Sequence, residues 1–406
     1  MPDYVYMPVE MILEILKRLP VKSLVRCKSV CKTWNTLISN PSFISVHLQA
    51  SLSNNTPFLL LGCLKKDGLE YSLHYDNDGF GKFKQLPFPR FGFVFDSQVV
   101  GSCNGVICVR LYTYDELRFV LWNHSIQKYI SLPQLSFSED DDFNFVFGFD
   151  LVTNDYKLLI VGVDKDGTWI EPYLFSLNEN CWKRVNAFST NYAFVPGPLN
   201  FVNGAVHWSG YRERNNGEYS HAILGFDLSA EEFFEINFPE SSSGFPFDLS
   251  IMKYGESSIA VTTCPIDVEL ELWVMKKYGV VESWTKVLTL HRDPVYAWIP
   301  KVLVFKKNGE FLLQMNDAKM ASLDLNSQQM EASLYLNSQQ IELHVVDFGA
   351  DLISVGSYVE LLSVRSYVES LVLLDKAGNI YSESDINHTV DSSDYDESSG
   401  GENDLA

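Results

Sequence analysis

The sequence predicts a mainly β chain: a small N-terminal three-helix domain followed by a ring of about six repeated four-stranded sheets. Three observations carry this reading. Apolar residues recur at helical spacing only in the first fifty residues. From about residue 55 to 382, short β-branched and aromatic runs alternate with turn dipeptides. Within that stretch two landmarks return about every fifty residues.

In the helical segment Pro8 opens a helix whose Ile12, Ile15, Leu16 and Leu19 fall at i, i+3, i+4 and i+7, and Pro20 ends it. Ser23 is placed to cap a second helix. Leu24, Cys27 and Cys31 follow at helical spacing, and Trp34, Leu37 and Ile38 extend the stripe until Asn40-Pro41 stops it. Six basic residues (Lys17, Arg18, Lys22, Arg26, Lys28, Lys32) stand against Asp3, Glu10 and Glu14. The segment therefore carries +3 and the rest of this −21 chain carries −24.

The first β landmark is a turn between two apolar runs, at Asn104-Gly105, Asn154-Asp155, Asn203-Gly204, Gly255-Glu256 and Asn308-Gly309, spaced by 50, 49, 52 and 53 residues. The second is an aromatic residue opening the strand after a polar turn: Phe83, Tyr129, Trp182, Phe233 and Trp284. Each unit thus holds two hairpins. The next turn signal, Gly378-Asn379, comes seventy residues late, but two tandem duplications intervene. SLDLNSQQMEA recurs as SLYLNSQQIEL eleven residues on, and SVGSYVELL recurs as SVRSYVESL nine residues on, so removing one copy of each restores a spacing of fifty. One four-stranded sheet cannot bury both faces alone, whereas a closed ring of sheets can, which makes a β-propeller the expected architecture.

Composition limits the function. The apolar share is 46%, with 27 Phe, 20 Tyr and 8 Trp, ample for a core. The negative balance argues against nucleic acid or an anionic membrane as partner and favours a neutral or basic one. Seven cysteines with no CxxC pair read as reduced thiols used as small apolar residues. With neither a secretory leader nor a bilayer-length apolar run, a cytoplasmic or nuclear location is expected. Residues 383–406 hold eight acidic groups and no Lys or Arg, and too little apolar surface to offset ordering, so a disordered acidic tail is expected.

Catalytic signatures are missing from the sequence: there is no GxSxG, HExxH, Walker-type loop or zinc-knuckle spacing, and no cofactor or metal site is expected. His207 follows alternating strand residues and reads as packing. Glu139, Asp140, Asp141 and Asp142 are consecutive carboxylates that cannot all point inward, and read as a solvated turn.

The segment MPVEMILEILKRLPVKSLVRCKSVCKTWNTLI resembles the F-box, with Pro8, Glu10, the Ile12 to Leu16 face, Leu19-Pro20-Val21, Ser23-Leu24, Arg26, Cys27-Lys28, Val30-Cys31-Lys32 and Trp34 in family positions. Met7 departs conservatively from the commoner Leu. A helical segment this small cannot enclose its own core and needs a partner surface. The resemblance implies that Pro8, Ile12, Leu16, Leu19, Pro20, Leu24 and Cys27 face a Skp-type adaptor, with Trp34 closing the bundle. Through that adaptor come a cullin and a RING subunit.

With the repeat region (VLWNHSIQKYISLP, NDYKLLIVG, LGFDLSAEEFFEI, LWVMKKYGVVESW), the whole chain resembles plant F-box proteins that carry a kelch-like F-box-associated interaction domain. The Gly-Gly pair of a standard kelch blade is missing. SYVESLVLLD is similar to the S-locus F-box subset over few residues. The expected organisation is an F-box at 1–50, a kelch-like propeller at 51–382 and the tail at 383–406. The expected role is a non-catalytic substrate receptor of an SCF ubiquitin ligase. Substrate contacts are expected at 139–144, 212–219 and 326–365, and the −24 charge makes a basic protein, such as a ribonuclease, the expected cargo. The alternative is a propeller scaffold or enzyme whose N-terminal helices pack intramolecularly.

Overall fold

The computed structural model describes residues 7–54, 58–65, 68–77, 81–87, 96–112, 117–135, 142–164, 169–186, 192–193, 200–213, 219–238, 249–255, 257–263, 269–291, 301–307, 309–314, 319–324, 333–335, 344–347, 354–355, 358–359 and 361–380.

Four helices come first: α1 (Val9–Leu16), α2 (Val21–Cys27), α3 (Lys32–Ile38) and α4 (Pro41–Asn54). Pro8 and Pro20, rather than Ser23, stand directly ahead of α1 and α2 in extended backbone, so each proline launches the helix that follows it. The second predicted helix is two helices. The chain breaks after Cys27, and Cys31 restarts it by accepting a hydrogen bond from Trp34 N at 3.4 Å on Sγ. Pro41 begins a helix instead of only stopping one, since its missing N–H is harmless in the first turn, and Asn40 Oδ1 caps Ser42 N at 2.8 Å. The three expected helices thus become four, and the helical domain runs on to Asn54.

The strands form six blades among the described residues. Blade 1 holds β1 (Phe58–Lys65), β2 (Gly68–Tyr75) and β3 (Lys82–Leu86). Blade 2 holds β4 (Asp96–Cys103), β5 (Val106–Tyr112), β6 (Leu117–Asn123) and β7 (Lys128–Ser131), and blade 3 holds β8 (Asp142–Asp150), β9 (Asp155–Val163), β10 (Trp169–Ser176) and β11 (Cys181–Arg184). In blade 4, β12 (Tyr192–Ala193) and β13 (Asn200–Val202) both pair with β14 (Ala205–Glu213), followed by β15 (Tyr219–Asp227) and β16 (Glu232–Ile236). Blade 5 is β17 (Leu249–Tyr254), β18 (Ser258–Thr263), β19 (Glu269–Met275) and β20 (Trp284–His291).

Blade 6 is β21 (Lys301–Phe305), β22 (Glu310–Gln314), β23 (Lys319–Asp324) and, after β24 (Ser333–Tyr335), β25 (His344–Asp347). The first SLDLNSQQ copy begins in β23, while the second contributes β24, which leaves blade 6 to pair in parallel with β20 of blade 5. A two-strand hairpin of β26 (Ser354–Val355) and β27 (Tyr358–Val359) precedes β28 (Leu361–Tyr367), and β29 (Asn379–Ile380) ends the described chain.

The ring closes because β28 pairs antiparallel with β1 as the innermost strand of blade 1. The innermost strands then touch in a complete circuit, β28, β4, β8, β13, β17, β21 and back to β28. The predicted turns join the first and second strands of blades 2 to 6. Asn104 and Gly105 have φ of 52° and 81°, and Asn203 and Gly204 have 54° and 80°, the left-handed pair that a two-residue hairpin demands. The aromatic landmarks all lie in fourth strands: β3, β7, β11, β16 and β20. Gly378-Asn379 is a correction. It is not a sixth hairpin turn, because Asn379 and Ile380 pair with Tyr129 and Lys128 on the outer edge of blade 2. Blade 1 has no such turn, since its first strand arrives from the far end of the chain.

Neighbouring blades are locked by apolar clusters and by one buried ionic knot. Lys157 Nζ, 4% exposed, donates to Asp150 Oδ2 at 2.9 Å, to Leu228 O at 2.6 Å and to Glu231 Oε1 at 3.2 Å, tying blade 3 to blade 4. Burial alone would raise the Asp150 carboxyl, but hydrogen bonds from Ser229, Thr153 and Lys157 outweigh it and hold it well below the usual carboxylate range. His207, fully buried, bonds Tyr278 OH at 2.7 Å, and burial pushes its ring down to about 4, so it is a neutral packing group.

Candidate functional site

Antiparallel order puts the first-to-second and third-to-fourth strand turns of every blade on one face of the ring. The second-to-third turns and blade-to-blade connections lie on the other. The helical domain sits on the former face, where α2 touches the turn His124–Ile126 between β6 and β7. Residues 368–376 run between them as a strap. Val368, Leu371, Val372 and Leu373 belong to one continuous core with Leu16, Val21, Leu24 and Ile38 from the helices and with Ile126, Tyr156 and Leu177 from blades 2 and 3.

The strap is pinned from below. Asn123, fully buried, donates from Nδ2 to Ser370 O at 3.1 Å and Val372 O at 2.8 Å, and Lys128 Nζ donates to Lys376 O. Gly105 lies so close beneath that an added Cβ would stand 2.5 Å from Val368 O and 2.4 Å from Ser370 Oγ. The strap then becomes β29, so the strand that closes the ring also carries the seat of the helices.

The eight residues expected to meet an adaptor do not form one outward patch. Leu16 and Leu24 are 1% and 0% exposed, inside one core with Ile38, Phe43, Ile44 and Leu48 of the helices and with the strap and blades, so neither belongs to the open surface. Ile12, Leu19, Cys27 and Trp34 are half-buried against the same core, and Pro8 and Pro20 are exposed. Among the described residues the open apolar side chains of the helical domain are a different set: Met7, Val9, Met11 and Ile15 in and just before α1, at 39–55%, Val30 at 65%, and, apart from these on α4, Val46 and Leu52. Met11 and Ile15 are one turn apart on α1. The signal for them was present, because α1 is apolar around more than half its circumference and carries a second stripe beside Ile12 and Leu16.

Other predicted features separate in the same way. Cys108 is buried as expected, and its thiol is pushed well above the usual range, whereas Cys31 and Cys181 are exposed and Cys31 serves as a helix cap. The expected substrate segments 139–144, 212–219 and 326–365 lie largely outside the described residues, as does the 383–406 tail. Among the described residues no group of three or more His, Cys, Asp or Glu is placed to hold a metal, and no helix is long and apolar enough to cross a membrane.

Two family descriptions match this architecture: an F-box domain over residues 6–45 and an F-box associated beta propeller domain over residues 73–374. The chain belongs to the F-box proteins that carry an F-box-associated β-propeller domain. Among its relatives, the Arabidopsis thaliana F-box protein CPR1 is 28% identical over 355 residues, spanning 80% of this chain and 83% of the relative. The F-box/kelch-repeat protein At3g23880, from the same plant, is 27% identical over 303 residues, spanning 70% and 79%. Among solved structures, the SapL1 lectin in complex with alpha methyl fucoside overlaps with a TM-score of 0.39 at 13% identity, spanning 70% of this chain and 98% of the lectin. In this plant-type F-box protein the F-box is the helical domain on the turn face, and the F-box-associated domain is the ring beneath it.

Proposed function

We propose that this F-box protein is the substrate-recognition subunit of an SCF-type E3 ubiquitin ligase, acting in the cytoplasm or nucleus. The F-box binds a Skp-type adaptor, and through it a cullin and a RING subunit, while the propeller holds a protein substrate. The observation that carries the reading is the arrangement of the two faces. The F-box keeps Met7, Met11, Ile15 and Val30 open while seated on one face of the ring, which leaves the opposite strand ends to cargo. Burying each of these side chains contributes ~1.5–3 kcal/mol, part of which offsets the cost of association. The chain performs no chemistry in this role; it raises the local concentration of a substrate lysine near the ubiquitin thioester.

The finer reading is a basic cargo. It is supported by the −24 carried outside the first fifty residues and, for an S-locus-like receptor of a basic ribonuclease, by the short SYVESLVLLD likeness. Such binding weakens with added salt, and a salt-independent affinity would remove the charge argument.

The experiment is adaptor capture by the full chain. Met11→Asp with Ile15→Asp abolishes capture while circular dichroism shows the ring still folded. Capture that survives the double substitution overturns the assigned surface, and failure of the unaltered chain to capture any Skp-type adaptor overturns the ligase reading.

A further inference from the structure

The inner strands of the ring carry cations that the chain does not pair. β17 brings Lys253, β21 opens on Lys301 and β28 brings Arg365, and none of the three makes an ion pair among the described residues. The carboxylates of these strands lie elsewhere. Asp96 and Asp142 are the first residues of β4 and β8, at the end away from the F-box where Lys301 also lies, and Asp150 is held by Lys157.

Arg365 reaches furthest into the ring. In the inner circuit β28 and β13 stand opposite each other, three places apart in either direction, yet Arg365 Nη1 donates to Asn200 Oδ1 at 3.4 Å. The guanidinium therefore spans the central channel. Asn200 is oriented to receive it, because its Nδ2 donates to Ile251 O of β17 at 2.5 Å and so turns Oδ1 toward Arg365. That contact is long, and it uses one of a guanidinium's five N–H donors. Arg365 Nε is sealed from solvent and has no acceptor among the described residues. Burial pushes the guanidinium down, and no carboxylate of the described residues acts on it to offset this. On the neighbouring strand β4, Ser102 Oγ is likewise buried without a partner, and the charge of Lys253 reaches across the ring to Cys103.

The tandem duplication singles out the same residue. SVGSYVELL and SVRSYVESL differ at two positions, Gly356 against Arg365 and Leu361 against Ser370. The second copy is the one that closes the ring, and both altered residues are engaged there: Ser370 Oγ accepts from Asn123 in the strap, and Arg365 enters the channel. A contact with Asn200 needs a donor but not a charge. A cation withdrawn from water without a counter-charge is costly, and the forked donors of a guanidinium match the oxygens of an anion. The second positive charge acting in the channel, that of Lys253, favours a dianion.

We propose that the central channel of the propeller binds a small oxyanion of phosphate type on the free edge of the Arg365 guanidinium, with Asn200 holding the fork in place and Lys253 adding to the positive field. Side chains from opposite blades meet there, so the site admits one anionic group, either a free ion or the end of a larger molecule entering from the face away from the F-box. The site does not rest on the ligase reading.

The test is titration of the full chain with inorganic phosphate by calorimetry, with thermal unfolding in Tris buffer compared between phosphate and chloride at equal ionic strength. One phosphate per chain is expected to bind and to raise the unfolding midpoint above that in chloride. Arg365→Gln is expected to weaken phosphate by about 10- to 100-fold, the value of a charged hydrogen bond, and to abolish the rise. Its midpoint in chloride is expected to be unchanged or higher, because the unpaired charge is gone. Arg365→Lys is expected to keep part of the response, since a point charge replaces the fork. Phenyl phosphate separates the two sources: binding as tight as that of phosphate supports a group carried on a larger molecule, and its rejection supports a free ion. No response of the natural chain to phosphate overturns the proposal, as does a response that Arg365→Gln retains. A midpoint that Arg365→Gln lowers equally in both salts also overturns it, by giving Arg365 a structural role alone.

Discussion

The F-box and the propeller solve the same problem, burying apolar surface, by opposite means. Each blade covers its neighbours, and the last strand completes the first blade, so the ring is self-sufficient in covalent sequence order. The F-box has four short helices whose apolar faces do not close on one another alone, and Leu16 and Leu24 share one core with α3, α4, blades 2 and 3 and a strap that belongs to the other end of the chain. A repeat architecture distributes its stability over many similar seams, whereas a short helical domain depends on one.

That contrast is breakable, and the largest expected effect lies inside the ring. Asp150→Ala removes one of the two carboxylates that hold the buried Lys157 ammonium, together with the acceptor of Ser229 and Thr153, and is expected to cost about 3 kcal/mol, read as a fall in the denaturation midpoint of the ring strands. Because the folded Asp150 carboxyl lies below its unfolded value, its contribution is complete above about pH 4 and is lost as pH falls toward the folded value. Acid unfolding of Asp150→Asn is therefore expected to show a shallower pH dependence than that of the natural chain.

Leu24→Ala comes next, at about 2–4 kcal/mol, but as local loss. Amide protection in α1 to α3 is expected to fall while that of β9 and β18 stays. Equal loss in both would show that the F-box is part of the ring's cooperative unit. Gly105→Ala is expected to cost about 1–3 kcal/mol, because it adds a Cβ under the strap at a left-handed φ, and to loosen the F-box more than the ring. Smallest is Asn40→Ala, about 1 kcal/mol, which removes the α4 cap and is expected to lower helicity with no change in the ring.

The two regions also differ in how much of them could be read in advance. The ring was legible because a hairpin needs Asn or Gly where φ turns positive, and those residues recur at Asn104-Gly105, Asn154 and Asn203-Gly204. The misread Gly378-Asn379 obeys the same residue preference without the same neighbours. Nothing local tells a turn dipeptide that its following strand will join a blade already four strands wide. In the F-box, helix edges were partly legible from Pro8 and Pro20, but Cys31 as a cap and Pro41 as a helix start depend on how the backbone is relaunched after a break.

The amino-acid order alone settled the period of the ring, the place of its hairpins, the helical leader and the family to which the chain belongs, because these arise from residues close in sequence: positive-φ turns, alternating apolar runs and proline punctuation. Which side of α1 faces outward, and that Leu16 and Leu24 are sealed while Met11 and Ile15 are not, came only with the folded chain. An amphipathic helix states that it must be covered but not by what. Here part of the core they join lies more than three hundred residues away, brought in by the strand that closes the ring.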